Sequence, residues 1–585
     1  MKTILGYFKK YKGQSVLGPL FKLLEATFEL LVPFVVGLIV DRGLGANING
    51  AYPNANKGYI LGMALLLAGF GLFGFVFSVT AQYFSARVAT GVSADLRSDL
   101  FKKIQSLSYK DLDKLGSATM LTRMTSDIDK LQSGINLALR LFLRSPFIVF
   151  GACITACIID PSSFGVFAIT IVALAVVVYA IMFACMPLYK KTQEKLDKVL
   201  LSTRENLAGA RVIRAFCHED EENAIFTERN QTLTKGRKFV GAIAAITNPL
   251  TYALVNFAII ALLWSGAIKV NSGTLSQGSV IALYNLMGQI LIELIKLANL
   301  IVTVTKAAAC GSRVATVLKM EPSLSVTEDA QQPQKTGAPF ISFEEVSLQY
   351  VEGAEPALKG VSFTVERGQT VGVIGGTGSG KTSLIHLLPH FYDATEGRVL
   401  IEGQNVQAKS LQGWLRGRIG IVPQKAVLFK GTLRENLLWG DKTATDEQIW
   451  QALTLARADE FVRAKGGLDI PVEQGGKNFS GGQKQRLTIA RALVRTPEIL
   501  ILDDSSSALD YATDAELRKN IRTLQTTCFI VSQRASSVMH ADKIIVLDDG
   551  VAVGQGTHDA LMSSCEVYRE IYFSQYGEEK GGSAV

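Results

Sequence analysis

The sequence predicts a multi-domain chain, in which an all-α membrane-spanning domain is followed by an α/β domain built around a phosphate-binding loop. Three observations carry this prediction. Aliphatic runs dominate the positions before about 320, and six of them approach the ~20 residues that a bilayer core demands. Residues 371–383 read VGVIGGTGSGKTS, an apolar run ending in a glycine-rich turn. Residues 499–503, ILILD, are an uninterrupted aliphatic stretch of the kind expected for a parallel strand covered on both faces.

The six apolar runs lie at about 16–40, 59–84, 146–160 with its approach, 163–187, 240–267 and 276–302. An even number puts both chain ends on one side. The segment between the second and third runs (88–137) carries Arg97, Lys102, Lys103, Lys110, Lys114, Arg123 and Lys130, and the segment 188–238 is also long and charged. Positively charged loops stay inside, so these segments and both termini are expected in the cytoplasm of a multi-pass cell-membrane protein, with 160–163 (DPSS) and 270–274 (VNSGT) outside. The same loops account for the net charge of +8, and no nucleic-acid partner is expected. The seven cysteines show no metal-ligand spacing, and Cys153, Cys157 and Cys185 lie inside apolar runs, so neither disulfides nor a metal centre is expected from them.

The N-terminal MKTILGYFKKYKGQ is basic and amphipathic with no cleavage site after a short apolar core, which predicts a helix lying along the inner membrane surface. Pro33 and Pro249 are expected to kink their helices. Ionisable groups inside spans are costly and need a reason. Lys22, Glu25 and Glu29 share one helical face, as do Glu293 and Lys296. Glu25, Glu29 and Glu293 either help to bind a cationic or polar substrate in an inward-facing cavity, or belong to local pairs, Lys22 with Glu25 and Glu293 with Lys296.

In the second half, Gly375, Gly380, Lys381 and Thr382 satisfy the pattern G-x-x-x-x-G-K-[ST]. The loop Gly375, Gly376, Thr377, Gly378, Ser379, Gly380, Lys381, Thr382, Ser383 can curl successive backbone N–H groups around phosphate oxygens, and the helix that follows adds the positive end of its dipole. Lys381 can reach the outer phosphates of ATP, and the Thr382 hydroxyl can ligate Mg²⁺. Asp503 ends its strand where open α/β sheets bind ligands, so it can hold Mg²⁺ through water.

Between the two motifs lies FSGGQKQR at 479–486. With it the chain resembles an ATP-binding cassette (ABC) transporter over essentially its whole length, as an exporter-type half-transporter. The resemblance implies a membrane domain over 1–319 with long cytoplasmic helix extensions, a polar, proline-containing linker over 320–339 and an ATPase domain over 340–580. It implies that Tyr350 stacks on adenine, although a plain strand tyrosine is an alternative, and that Gln424 touches Mg²⁺. Ser480, Gly481, Gly482 and Gln483 would serve a nucleotide held by an opposite ATPase domain, and the loop ending at Asp510 would cross that interface. Short coupling helices are expected within 112–123 and 204–216, unless these are helical hairpins with no transmission role.

Two positions depart from the family pattern. Asp504 stands where efficient exporters have the glutamate base, and Gln533 stands where they have a switch histidine. Shortening the side chain by one methylene withdraws the carboxylate, and glutamine cannot become a cation. A third departure is Gln474, where a glutamate is common. The pattern resembles the degenerate-site subunit of a heterodimeric multidrug exporter, whose signature completes the catalytic site of a related half-transporter with intact Glu and His. The alternatives are a homodimeric exporter in which Asp504 is an adequate base, or a nucleotide-gated channel or regulatory subunit. ATP and Mg²⁺, a lipid bilayer and small amphipathic molecules or lipids complete the expected partners.

Overall fold

The computed structural model describes residues 2–44, 56–324, 339–351, 353–408 and 411–576. Most of the expected linker, residues 325–338, lies outside the described residues. The chain divides into two compact units, one of Met1–Gln105 with Ser117–Met320 and one of Ser106–Gly116 with Glu321–Val585.

In the first unit six helical segments are long and apolar enough to cross a membrane: Thr3–Gly43, Lys57–Ser106, Ser117–Ile159, Pro161–Ala215, Glu219–Asn271 and Gln277–Lys319. The helices that concern us are α1 (Lys12–Leu38), α2 (Lys57–Ser106), α3 (Ile128–Leu141), α4 (Arg144–Ile159), α5 (Phe164–Ala215), α6 (Glu219–Ala245), α7 (Thr247–Asn271) and α8 (Gln277–Lys319). At 1.5 Å per residue the 50 residues of α2 reach about 75 Å, more than twice the ~30 Å of a hydrocarbon core, so its polar second half extends beyond the membrane. Phe21 and Phe28 of α1 pack on Phe70, Phe73, Phe77 and Phe84 of α2 with ring centroids 5.3–6.2 Å apart. Leu30, Ile148, Phe167, Leu262, Leu286, Met287 and Ile290 form the interior of the bundle.

The N-terminal segment is helical over Lys2–Tyr7 and is tied to α2: the Tyr7 hydroxyl donates to Asp99 at 2.9 Å and Lys10 donates to Asp95 at 3.0 Å. Pro249 lies three residues after the one-residue break at Ile246 that divides the apolar segment Glu219–Asn271 into α6 and α7, the place where a missing N–H interrupts a helix. Two coupling-helix expectations are corrected. Residues 204–215 are the end of α5 and not a separate helix: α5 runs unbroken through Gly209 and ends at the turn Phe216–His218. The expected helix at 112–123 straddles a break. The observed helix is Tyr109–Leu115, opened by a reciprocal Ser108–Asp111 capping box and closed at Gly116, whose φ of 72° suits a residue without Cβ.

In the second unit the strands of the two larger sheets are β1 (Ile341–Leu348), β2 (Leu358–Val365), β3 (Thr370–Gly375), β4 (Glu396–Ile401), β5 (Gln404–Asn405), β6 (Ile419–Val422), β7 (Ile499–Asp503), β8 (Thr527–Val531), β9 (Lys543–Asp548) and β10 (Val551–Gly556). Strands β2-β1-β4-β5 form an antiparallel sheet, and β10-β9-β3-β8-β7-β6 form a sheet that is parallel except for its β10 edge. The central strands read as near-continuous aliphatic runs because both faces are covered. Val371, Val373, Ile501 and Phe529 face a cluster shared with Phe343 and Leu384, whereas Leu500, Leu502 and Cys528 face one shared with Leu487, Ile489 and Leu493. Register aligns Val531 with both Val373 and Asp503, so the carboxyl ends of β3, β8 and β7 lie side by side at one edge of the sheet.

Candidate nucleotide site

That edge is the site. The loop after β3 leads into the helix α9 (Lys381–Leu387), and together they wall a cavity of about 360 Å³. Its lining includes Tyr350, Thr377, Gly378, Ser379, Gly380, Lys381, Thr382, Ser383, Gln424, Asp503, Asp504 and Gln533, which sequence reasoning had nominated, and also Ala357 and Val531, which carry no motif. Gly375 and Gly376 stand behind the lining. A Cβ on Gly375 would fall 2.1 Å from the Leu547 carbonyl oxygen, so the loop can pass β9 only with glycine there.

The Lys381 ammonium donates to the Gly375 carbonyl at 2.9 Å and the Gly376 carbonyl at 2.5 Å, which holds it within the loop. Burial pushes its pKa down, against the attraction of Asp504 and Asp503. Two carbonyl dipoles are a modest substitute for a counter-charge, so an incoming phosphate would be a stronger partner. The Thr382 hydroxyl lies 3.2 and 3.3 Å from the two Asp503 carboxylate oxygens. Burial also raises the Asp503 pKa, although the Thr382 hydrogen bond opposes it.

One hydroxyl and one carboxylate converging beside a phosphate cradle fit Mg²⁺, which takes few protein oxygens and completes its shell with phosphate and water. Among the described residues no group of three or more His, Cys, Asp or Glu side chains could hold a metal without such help. Gln424 follows β6 and donates its amide to Asp504 Oδ2 at 3.4 Å. Asp504 itself has φ 43°, and its backbone N–H donates to Val531 at 2.9 Å, which fixes the start of its loop against β8. The Gln533 backbone carbonyl accepts from Gln575 at 2.8 Å. The Tyr350 hydroxyl donates to Ser383 at 2.9 Å, and burial raises its pKa.

Other nominated residues lie elsewhere. Ser480 caps α10 (Gly481–Val494) in a reciprocal box with Gln483, at 3.1 and 3.3 Å. Asp510 caps α11 (Tyr511–Arg522) by accepting from Thr513 at 2.9 Å. Neither set lines the cavity of the phosphate loop in this chain. Gln474 is exposed.

Several of the charges in the bundle are paired. Lys22 donates to Glu25 at 2.5 Å and Lys296 to Glu293 at 2.8 Å. Sequence reasoning did not foresee that Arg144 of α4 bridges Glu29 at 2.5 Å and Glu293 at 2.6 Å. Glu293 is 2% exposed and also accepts from Ser145, so it faces a protein interior and not an open cavity. The signal for Arg144 was present, since an arginine next to an apolar run needs a carboxylate on a neighbouring helix.

Comparison with known proteins agrees with this architecture. Residues 16–294 match the ABC transporter transmembrane region, and residues 358–507 match the family described as ABC transporter. An uncharacterized ABC transporter ATP-binding protein, YfiB, of Bacillus subtilis (strain 168) is 33% identical over 99% of both chains. An ATP-dependent lipid A-core flippase of Syntrophus aciditrophicus (strain SB) is 28% identical over 84% of this chain and 82% of its own. A structure of a bacterial Atm1-family ABC exporter with ATP bound superposes with a TM-score of 0.80, covering 98% of this chain and 99% of the other at 23% identity, and so shares the fold. The chain belongs to the ABC transporter family, as a half-transporter in which one polypeptide carries the helical membrane domain and an ATPase coupled to transport.

Proposed function

We propose that this chain is one half of a heterodimeric ABC exporter that moves small amphipathic molecules or lipids out across the cell membrane, and that the ATP site on its own phosphate loop turns over slowly. The observation that carries this reading is that Asp504 and Gln533, the two departures from the family pattern, share one cavity wall with Lys381, Thr382, Gln424 and Asp503. The site therefore keeps the groups that bind ATP and lacks the pair that would activate and report on the attacking water.

The loop from Gly375 to Ser383 holds the phosphates, with Lys381 leaving its loop carbonyls for the outer ones. Tyr350 stacks on the base. Thr382, Asp503 and Gln424 would hold Mg²⁺, and the ion would neutralise phosphate charge. Asp504 stands in the base position with a carboxylate set back by one methylene, and small misplacement of a reacting group can cost ~10²-fold in rate. Ser480, Gly481, Gly482 and Gln483 complete the site of a partner that has Glu and His, and Asp510 lies at the shared interface.

The membrane domain occupies 1–319, the linker 320–339 and the ATPase domain 340–580, with both termini in the cytoplasm. ATP favours the closed pair of ATPase domains by binding it more tightly, and hydrolysis on the partner reopens it. Of the three acidic side chains in the bundle, Glu29 is the best placed to meet a cationic substrate, since its side chain is 40% exposed while it pairs with Arg144. The lipid A-core flippase among the relatives supports keeping lipids within the substrate class.

Steady-state ATP hydrolysis by the purified full-length chain in lipid, beside the same chain carrying Asp504→Glu and Gln533→His, tests the reading. The native chain is expected to be nearly inactive alone and the double variant to gain turnover. Native turnover at ~1–10 s⁻¹ without a partner would instead make the chain a homodimer in which Asp504 is a working base.

A further inference from the structure

The turn that carries Gln533 runs from β8 into a short helix, α12 (Ala535–Val538). The sheet fixes its start: the Ser532 N–H donates to the Val373 carbonyl at 3.1 Å, and the Ser532 hydroxyl accepts from the Arg534 N–H at 3.0 Å. Its end has no such local support. The first N–H groups of a helix need acceptors from outside it, and Arg534 at the N-cap gives no side-chain hydrogen bond. Gln575, 40 residues beyond Ala535, provides an acceptor: its Oε1 takes the Ala535 N–H at 2.9 Å. The same amide donates through Nε2 to the Gln533 carbonyl at 2.8 Å. One side chain thus ties both ends of Gln533–Ala535, which takes a donor and an acceptor on the same short fork.

Gln575 is delivered by a seated helix, α13 (Glu566–Tyr576). Its Tyr568 is fully buried in the cluster that also holds Ala535 and Val538 of α12, and Ile571 and Tyr572 pack against that cluster. The Tyr568 hydroxyl lies 2.8 Å from His558 Nδ1. The two helices therefore share one core, and the amide bridge adds the connection from that core to the turn. The Gln533 side chain itself lines the nucleotide cavity and has no hydrogen-bond partner among the described residues. Its direction consequently follows from its backbone, whose carbonyl is the atom that Gln575 grips.

We infer that Gln575 is a positioning residue for the ATP site, holding Gln533 where its amide donates to the outermost phosphate. A hydrogen bond weakens outside about 2.7–3.2 Å, so a turn free to shift by ~1 Å would lose it. ADP lacks the phosphate concerned. The bridge therefore sets the preference of the site for ATP over ADP, and not its affinity for nucleotides in general. The inference rests on the reading of the cavity as an ATP site with Gln533 beside the outer phosphates.

Equilibrium binding of ADP and of a non-hydrolysable ATP analogue, both with Mg²⁺, to the full-length chain in lipid nanodiscs tests it. Gln533→Ala removes the donor and should cut the preference for the analogue about tenfold, the usual worth of a hydrogen bond to a charged group. Gln575→Ala should cut it at least about fivefold and leave ADP affinity within about twofold. Gln575→Glu fills the same space and still accepts from Ala535, yet cannot donate to the Gln533 carbonyl, so it should lose the preference as well. Because Gln575 acts through Gln533, the chain with both alanines should match Gln533→Ala alone. Full preference in Gln575→Ala or in Gln575→Glu, a loss of ADP affinity in Gln575→Ala, or additive losses in the double variant overturns the inference alone. Failure of the native chain to bind either nucleotide overturns the reading of the cavity, full preference in Gln533→Ala overturns that of Gln533 within it, and the inference falls with either.

Discussion

The Gln424 amide lies 3.4 Å from Asp504 Oδ2, so the side chain in the base position leans on the wall of its own cavity. A general base has to reach the attacking water within hydrogen-bond distance. Asp504→Asn is therefore expected to change ATP affinity less than about twofold and to leave hydrolysis by the assembled transporter within about threefold. Equilibrium binding of a fluorescent ATP analogue and steady-state phosphate release measure the two. A drop of ~10² or more in turnover would make Asp504 the base after all.

Asp503 gives a dependence on pH. Its burial raises its pKa, so between the ordinary aspartate value and the raised one the folded site binds more protons than the unfolded chain does. The cost of burying its charge is present at neutral pH and is relieved as pH falls through the raised value. The proton that relieves it also removes the charge that attracts Mg²⁺. The gain in ATP affinity on adding Mg²⁺ should consequently shrink as pH falls through the raised value, and by more in the native chain than in Asp503→Asn, where only the nucleotide's own phosphate titrates. Binding titrations with and without Mg²⁺ across the acidic range compare the two chains, and the same dependence in both would refute the assignment.

Much of the site was legible because its residues are chosen by local geometry. The G-x-x-x-x-G-K-[ST] run and the aliphatic strand ending in Asp503 each fix their own backbone, and parallel pairing through β8 then brings the two ends together. The cores of the six spans were legible for the same reason, since apolar length is a local property. What stayed hidden depends on partners distant in sequence. The Tyr392 hydroxyl donates to Asp113, 279 residues away, and neither sits in a pattern that names the other. Arg144 and Glu293 are 149 apart, and the pairs within single helices were visible where this cross-helix bridge was not. The Tyr109–Leu115 helix lay between these cases: its Ser108–Asp111 cap was readable from spacing, yet coupling-helix resemblance drew the expected segment across Gly116.

The bridge makes a stability prediction. Arg144 and Glu293 are both buried, and removing one partner of a buried pair leaves the other charge without compensation. Arg144→Met should cost about 3 kcal/mol, at the lower end of the usual range because Lys296 and Ser145 still contact Glu293. Combining it with Glu293→Met should restore most of the loss, since Lys296, 40% exposed at its side chain, can turn to solvent or headgroups. Thermal unfolding in nanodiscs compares the three chains. Additive losses in the double variant would mean that the pair is not coupled.

The signature helix separates what this chain needs from what a second ATPase domain needs. At Gly482 a Cβ would lie 2.9 Å from the Ala508 backbone oxygen, so Gly482→Ala forces α10 away from the loop that ends at Asp510. Overpacking of this kind costs about 1–3 kcal/mol, and the variant should be less stable in the isolated chain. At Gly481 the nearest atom would be Ala508 Cβ at 4.0 Å, ordinary van der Waals contact, and the residue is exposed. Gly481→Ala should therefore leave stability within about 0.5 kcal/mol. If its backbone faces the nucleotide of an opposing domain, the same methyl group intrudes there and hydrolysis by the assembled pump should fall at least about tenfold, a barrier change of ~1.4 kcal/mol. Unfolding of the isolated chain and ATPase activity of the assembled one are read side by side. A stable Gly481→Ala chain that supports full hydrolysis would remove the case for a shared site.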